Sequence, residues 1–101
     1  MNSTLKNKPK IPNRIRYCRK MAGLNQRELA FLMNKPLRKI SRWEKGERTP
    51  NIYHCIGLAV AMHRLVDDLF SDYRREWIER IRQRNEAMRQ MPETIKQPNK
   101  N

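Results

Sequence analysis

Apolar residues recur at helical intervals along this chain, in short blocks separated by turn residues. Ile15, Cys18 and Met21 or Ala22 share one helical face, which predicts a first helix from about Asn13 to Ala22, closed by Gly23. A second helix opens at Asn25, with Glu28 three residues on to complete a capping-box pair, and carries Leu29, Ala30, Leu32 and Met33 on its apolar side. Asn34 tolerates the left-handed backbone a turn needs. Pro36 suits the first turn of a third helix, where its missing N–H costs nothing. That helix places Ile40 and Trp43 on one side and ends at Gly46. Thr49-Pro50-Asn51 breaks the chain, and Asn51 caps a fourth helix over Ile52 to Met62, with Ile52, Cys55, Ile56, Ala59 and Met62 at inward spacings. A short fifth helix, Val66 to Phe70, brings Leu69 and Phe70 to the core. No period-two alternation occurs, so the predicted fold class is all-α.

Beyond this block, Asp72 to Met91 is again helical in pattern. Tyr73, Trp77, Ile81, Met88 and Met91 form an apolar stripe that Arg84 and Asn85 interrupt. Glu76–Arg80 and Glu79–Arg82 stand at i,i+4 and i,i+3, spacings that support a helix through local ion pairs. Pro92 ends it. The expected organisation is a flexible basic arm over residues 1–13, a domain over 14–70, a C-terminal helix over 71–91 and a disordered tail over 92–101.

Charge turns this outline toward a partner. The 101 residues carry 23 Lys and Arg against 10 Asp and Glu, a formal net charge of +13. The excess runs through all three segments and is purest in the arm, where Lys6, Lys8, Lys10 and Arg14 meet no acid. A polyanion is the natural partner, nucleic acid first among them. The stretch from Gln26 to Lys45 gives that partner a shape to meet. Two short helices join at a tight turn, and the second has an apolar back and a front bearing Leu37, Arg38, Lys39 and Arg42, which suits the DNA major groove.

Other chemistry is not indicated. There is no Walker loop, no paired-cysteine zinc pattern and no HExxH, so neither an enzyme nor a cofactor is expected. Cys18 and Cys55 stand among apolar helical positions and read as buried structural thiols. No apolar run reaches the ~18 residues of a membrane span. The lysine-bearing N-terminus lacks the apolar region of a secretory signal. A cytoplasmic protein, in a bacterial cytosol or phage-infected host and nucleoid-associated, is the expectation.

An ordered set of residues from Ile15 to Phe70 resembles the Cro/C1-type helix-turn-helix family, also called Xre or lambda-repressor-like. The set comprises Arg19, Gly23, Leu24, Gln26 and Glu28-Leu29-Ala30. It continues with Ile40-Ser41-Arg42, Glu44, Gly46, Pro50, Ala59 and Asp67-Asp68-Leu69-Phe70. The resemblance implies a five-helix DNA-binding domain, here followed by an additional C-terminal helix, with the helix-turn-helix motif at 26–45. Four positions depart from the family pattern. Asn34 replaces the turn glycine, Pro36 a small hydroxyl residue, His63 a glycine and Arg64 an apolar residue.

Carried onto matched positions, the resemblance makes the third helix the one that reads DNA. Leu37, Arg38 and Arg42 fall at base-contacting positions. Gln26 is placed to bond a phosphate, and Lys35, Lys39, Lys45, Arg48 and Thr49 are further phosphate candidates. Arg19 and Glu44 match a structural ion pair. The family's habit of binding as symmetric dimers makes Tyr73, Trp77 and Ile81 candidate dimer contacts. The arm is either a segment that orders on DNA or a solubilising tail. The function expected is a sequence-specific regulator of double-stranded DNA, a homodimeric repressor. One alternative is an antitoxin that represses its own operon while its tail holds a toxin. Another is a protein-interaction module that keeps the scaffold without reading DNA.

Overall fold

A computed structural model describes residues 10–92; the tail and most of the arm, residues 1–9 and 93–101, lie outside the described residues. Six helices follow one another: α1 (Ile15–Met21), α2 (Gln26–Met33), α3 (Leu37–Lys45), α4 (Ile52–Met62), α5 (Val66–Leu69) and α6 (Ser71–Met88). No strand occurs among the described residues. The first five form a compact all-α domain, and α6 follows as an additional helix packed against α5.

The chain's own punctuation sets the helix ends. Asn25 accepts the Glu28 N–H at 2.8 Å, and Glu28 returns a bond from the Asn25 N–H at 2.8 Å. Asn51 caps α4 by accepting from the His54 N–H. Helices α1 to α4 all close in one way, with a left-handed residue at Gly23, Asn34, Gly46 or His63. The next N–H then reaches back five residues: Leu24 to Arg19, Lys35 to Ala30, Glu47 to Arg42 and Arg64 to Ala59. This closure satisfies carbonyls that a helix end otherwise leaves bare. His63 at φ 58° thus takes over the work of the expected glycine and keeps the path into α5.

Ile15, Cys18, Leu29, Ala30, Ile40, Trp43, Leu58, Ala59, Met62 and Leu69 form the core. Burial of each large aliphatic among them stabilises the fold by about 1.5–3 kcal/mol. Cys18 and Cys55 are buried and free, and burial raises both thiols above their usual range.

Several expectations need correction. Leu32, Ile52 and Ile56 are exposed, and Leu58 takes the central inward position on α4. At α1 it is Ala22 that packs against the core, while Met21 is exposed. The first helix begins at Ile15 with Arg14 as its N-cap, and the Asn13 side chain accepts the Ile15 N–H at 3.0 Å in the turn just ahead of it. Pro36 is the residue before α3 and not within its first turn; its extended ψ of 147° makes it the N-cap, without a side-chain bond. Phe70, by contrast, does pack against the core as expected, half-buried and stacked on Tyr73 with ring centroids 6.2 Å apart.

A short strap precedes α1. The Ile11 N–H donates to the Gly46 carbonyl at 2.9 Å, Asn13 Nδ2 to the Trp43 carbonyl at 3.0 Å, and the Arg14 N–H to the Leu69 carbonyl at 2.7 Å. The strap therefore ties the end of α3 to the end of α5. No residue of α6 is buried, and side-chain ion pairs along it support its helix: Arg75–Asp72, Arg80–Glu76 and Arg82–Glu79. No helix among the described residues is long and apolar enough to cross a membrane.

Candidate nucleic-acid interface

The phase of α3 follows from its two anchors. Ile40 and Trp43 are buried, and at 100° per residue this turns Arg38, Ser41, Arg42 and Lys45 to the opposite side. Glu44 follows the anchors inward and does not reach the solvent side. Its carboxylate is gripped by Arg19, Nε to Oε2 at 2.6 Å and Nη2 to Oε1 at 3.2 Å. A third Arg19 nitrogen donates to the Leu24 carbonyl at 2.9 Å. The pair is withdrawn from water, with side-chain exposures of 8% and 3%. Of the two acids between Lys35 and Arg48, only Glu47 is exposed to oppose six cations.

Arg38, Lys39, Arg42, Arg48 and Thr49 surround one recess of about 470 Å³, with Pro36 and Trp43 completing its wall. Gln26 and Leu37 meet at a second, shallower depression of about 400 Å³, joined by Asn25 and Arg27. Gln26 is not free to swing, because its Nε2 donates to Glu44 Oε1 at 3.0 Å. One carboxylate therefore positions both Arg19 and Gln26. Lys45 is exposed on the same side of α3 but lines neither depression. Lys35 is half-buried and borders a groove between α2 and α4. Tyr73, Trp77 and Ile81 sit on α6. Trp77 and Ile81 share a face with Ile78, while Tyr73 lies against Phe70.

Two residues on this surface escaped the reading of the sequence. Ser41 stands between Arg38 and Lys45 on the outward side of α3, and Arg27 extends the Gln26–Leu37 depression. The helical phase set by Ile40 and Trp43 would have found Ser41, and the first-turn position beside Gln26 would have found Arg27.

His54 packs its ring on Trp43, centroids 5.6 Å apart. Burial of the ring, with Lys35 and Lys39 nearby, holds its pKa below the usual histidine value. No cluster of metal-ligating side chains occurs among the described residues.

Among curated proteins no match was found. The family model described as helix-turn-helix matches residues 15–69, which takes in α1 through α5 and the cationic surface of α2 and α3, but not α6. The chain belongs to the Cro/C1-type helix-turn-helix family of DNA-binding domains.

Proposed function

We propose that this protein is a sequence-specific transcriptional regulator, a dimeric repressor that inserts α3 into the major groove and occludes a promoter. One observation carries the reading. Helix α3 turns Arg38, Arg42 and Lys45 outward together, while the acid that would oppose them is locked inward on Arg19. Arg38 and Arg42 read bases, each able to bond guanine O6 and N7 in bidentate fashion. Leu37 packs on a thymine methyl. Gln26, Lys39, Lys45, Arg48 and Thr49 hold phosphates, with Lys35 an outlying cation at the turn. Arg27 and Ser41 join the phosphate set. The protein acts in the cytoplasm, without catalysis, on double-stranded DNA.

Selection of bound duplexes from a random pool, followed by titration at several salt concentrations, tests the proposal. A reader of sequence yields a selected site with dyad symmetry, a steep salt dependence and a large preference over random DNA. A flat selection would leave only a non-specific cationic binder and would refute it.

A further inference from the structure

Helix α6 sorts its residues by kind around its axis. At about 100° per residue, Tyr73, Trp77, Ile81 and Met88 fall on one side, with Ile78 at its edge. Trp77, Ile78 and Ile81 are each at least half exposed and line a shallow depression of about 450 Å³ with Arg74, Arg82 and Asn85. The four acids of the helix, Asp72, Glu76, Glu79 and Glu86, all fall on the opposite side. Its five arginines do not. Arg74 and Arg84 stand within the apolar strip, Arg75 and Arg82 along one border and Arg80 along the other. The Arg80 guanidinium lies over the Trp77 ring, 5.5 Å from its centroid.

We propose that α6 docks a different protein, one that presents an acidic amphipathic helix with an apolar ridge flanked by carboxylates. The inference goes beyond DNA reading and does not depend on it.

The strip serves no core of its own chain, because no residue of α6 is buried. It exposes on the order of 500 Å² of apolar side chain, a size at which the largest patch of a monomer is often functional. The family match ends at residue 69, before α6 begins, so the strip is an addition to the DNA-binding domain.

Charge selects the occupant. Pairing α6 with itself, in either direction, sets Arg74 and Arg84 against the same arginines of the other copy while every acid is turned away. A lipid surface would take Trp77 and Ile81 only by drawing the two guanidiniums toward the acyl chains, where charge is costly. DNA would pair the guanidiniums and leave the apolar side chains bare. A helix with leucines along one seam and glutamates beside it answers both features. Its ridge covers Trp77 and Ile81, and its carboxylates meet Arg74 and Arg84. Arg74 already shows this pairing, since it holds the exposed Asp67 carboxylate of α5 at 3.2 Å.

The test is fluorescence anisotropy of a labelled peptide with the full chain, without DNA. The probe is a helical peptide as long as α6, with leucines along one seam and glutamates on both flanks. A peptide of the same composition in scrambled order and one with lysine for each glutamate are the controls. The seam peptide is expected to bind and both controls to fail. Trp77→Ala, Ile81→Ala and Arg84→Glu should each raise its dissociation constant by roughly tenfold or more. Arg38→Ala and Arg42→Ala, on the cationic surface of α3, should leave it within about threefold. Circular dichroism checks helical content, and Arg84→Glu decides if the alanine variants lose helix, because it removes no apolar side chain. Failure of the seam peptide to bind overturns the proposal. So does equal binding of the scrambled peptide, or loss with Arg38→Ala while Trp77→Ala binds as wild type. Two other occupants are tested on the chain alone. Self-association in sedimentation equilibrium that Trp77→Ala abolishes, or binding to anionic phospholipid vesicles that Trp77→Ala abolishes, overturns it as well.

Discussion

Arg19 and Glu44 form a two-toothed, buried ion pair that joins α1 to α3, and Gln26 of α2 bonds the same carboxylate. Three helices are thereby set against one another by a single acid. Removing either partner strands a charge in a dry site. Arg19→Ala and Glu44→Ala are each expected to cost about 3–5 kcal/mol in urea unfolding. Replacing both together, as Arg19→Met with Glu44→Leu, should recover most of that loss, since the desolvation cost goes with the charges.

The residues proposed to read bases and those proposed to hold phosphates separate by experiment. Arg38→Ala and Arg42→Ala are each expected to weaken the selected site by about 1–3 kcal/mol and to relax preference at one base position. Lys39→Ala and Arg48→Ala should weaken all duplexes alike and reduce the slope of log affinity against log salt by about 1 each. Fluorescence-anisotropy titrations at three salt concentrations distinguish the two outcomes.

Gly23 and Gly46 share a left-handed φ, 77° and 76°, but differ in what surrounds them. A Cβ at Gly23 meets open space, so Gly23→Ala should cost only the backbone strain, about 1–2 kcal/mol. At Gly46 the same Cβ would lie 2.5 Å from the Ile11 carbonyl oxygen. The strap must move, and its hydrogen bond goes with it. Gly46→Ala should exceed Gly23→Ala by at least about 1 kcal/mol in thermal or urea unfolding.

His54 predicts a pH dependence. Burial first, then Lys35 and Lys39, disfavour its charged form, so its folded pKa lies below the unfolded 6.5. The unfolded chain then binds more protons as pH falls. The stability His54 contributes is present above about pH 6.5 and is lost as pH falls through the lower folded value. An NMR titration should place the His54 midpoint below 6.5, and Lys35→Ala should move it upward. His54→Gln should flatten the acid side of the stability profile.

Where the signal was local, the sequence was legible. Asn25 with Glu28, Asn51, Asn34 and Gly46 set helix ends within a few residues of themselves, and each stands where it was expected. The outward set on α3 was legible for the same reason, since Ile40 and Trp43 fix the phase. Helix α4 was not. It is apolar almost all round, so period alone could not choose between Leu58 and Ile56 as the inward residue. Its excess apolar side, Ile52, Tyr53, Ile56 and Val60, faces outward. Nor could spacing reveal that Gln26 leans on Glu44, which requires α2 and α3 already packed.

The strap at Ile11–Arg14 orders the events of synthesis. It leaves the ribosome before α1, yet Asn13 waits for a Trp43 carbonyl 30 residues later, and Arg14 waits longer still for Leu69. The contacts of α1 with α4 span at least as much chain as the Asn13–Trp43 bond does, so the strap can tie the end of α3 by the time α4 packs. Only the Arg14 bond, which reaches Leu69 at the end of α5, is left to close last. A nascent chain halted after α4 would have the far end of α3 within reach of Ile11 and Asn13, with Arg14 still waiting for its partner.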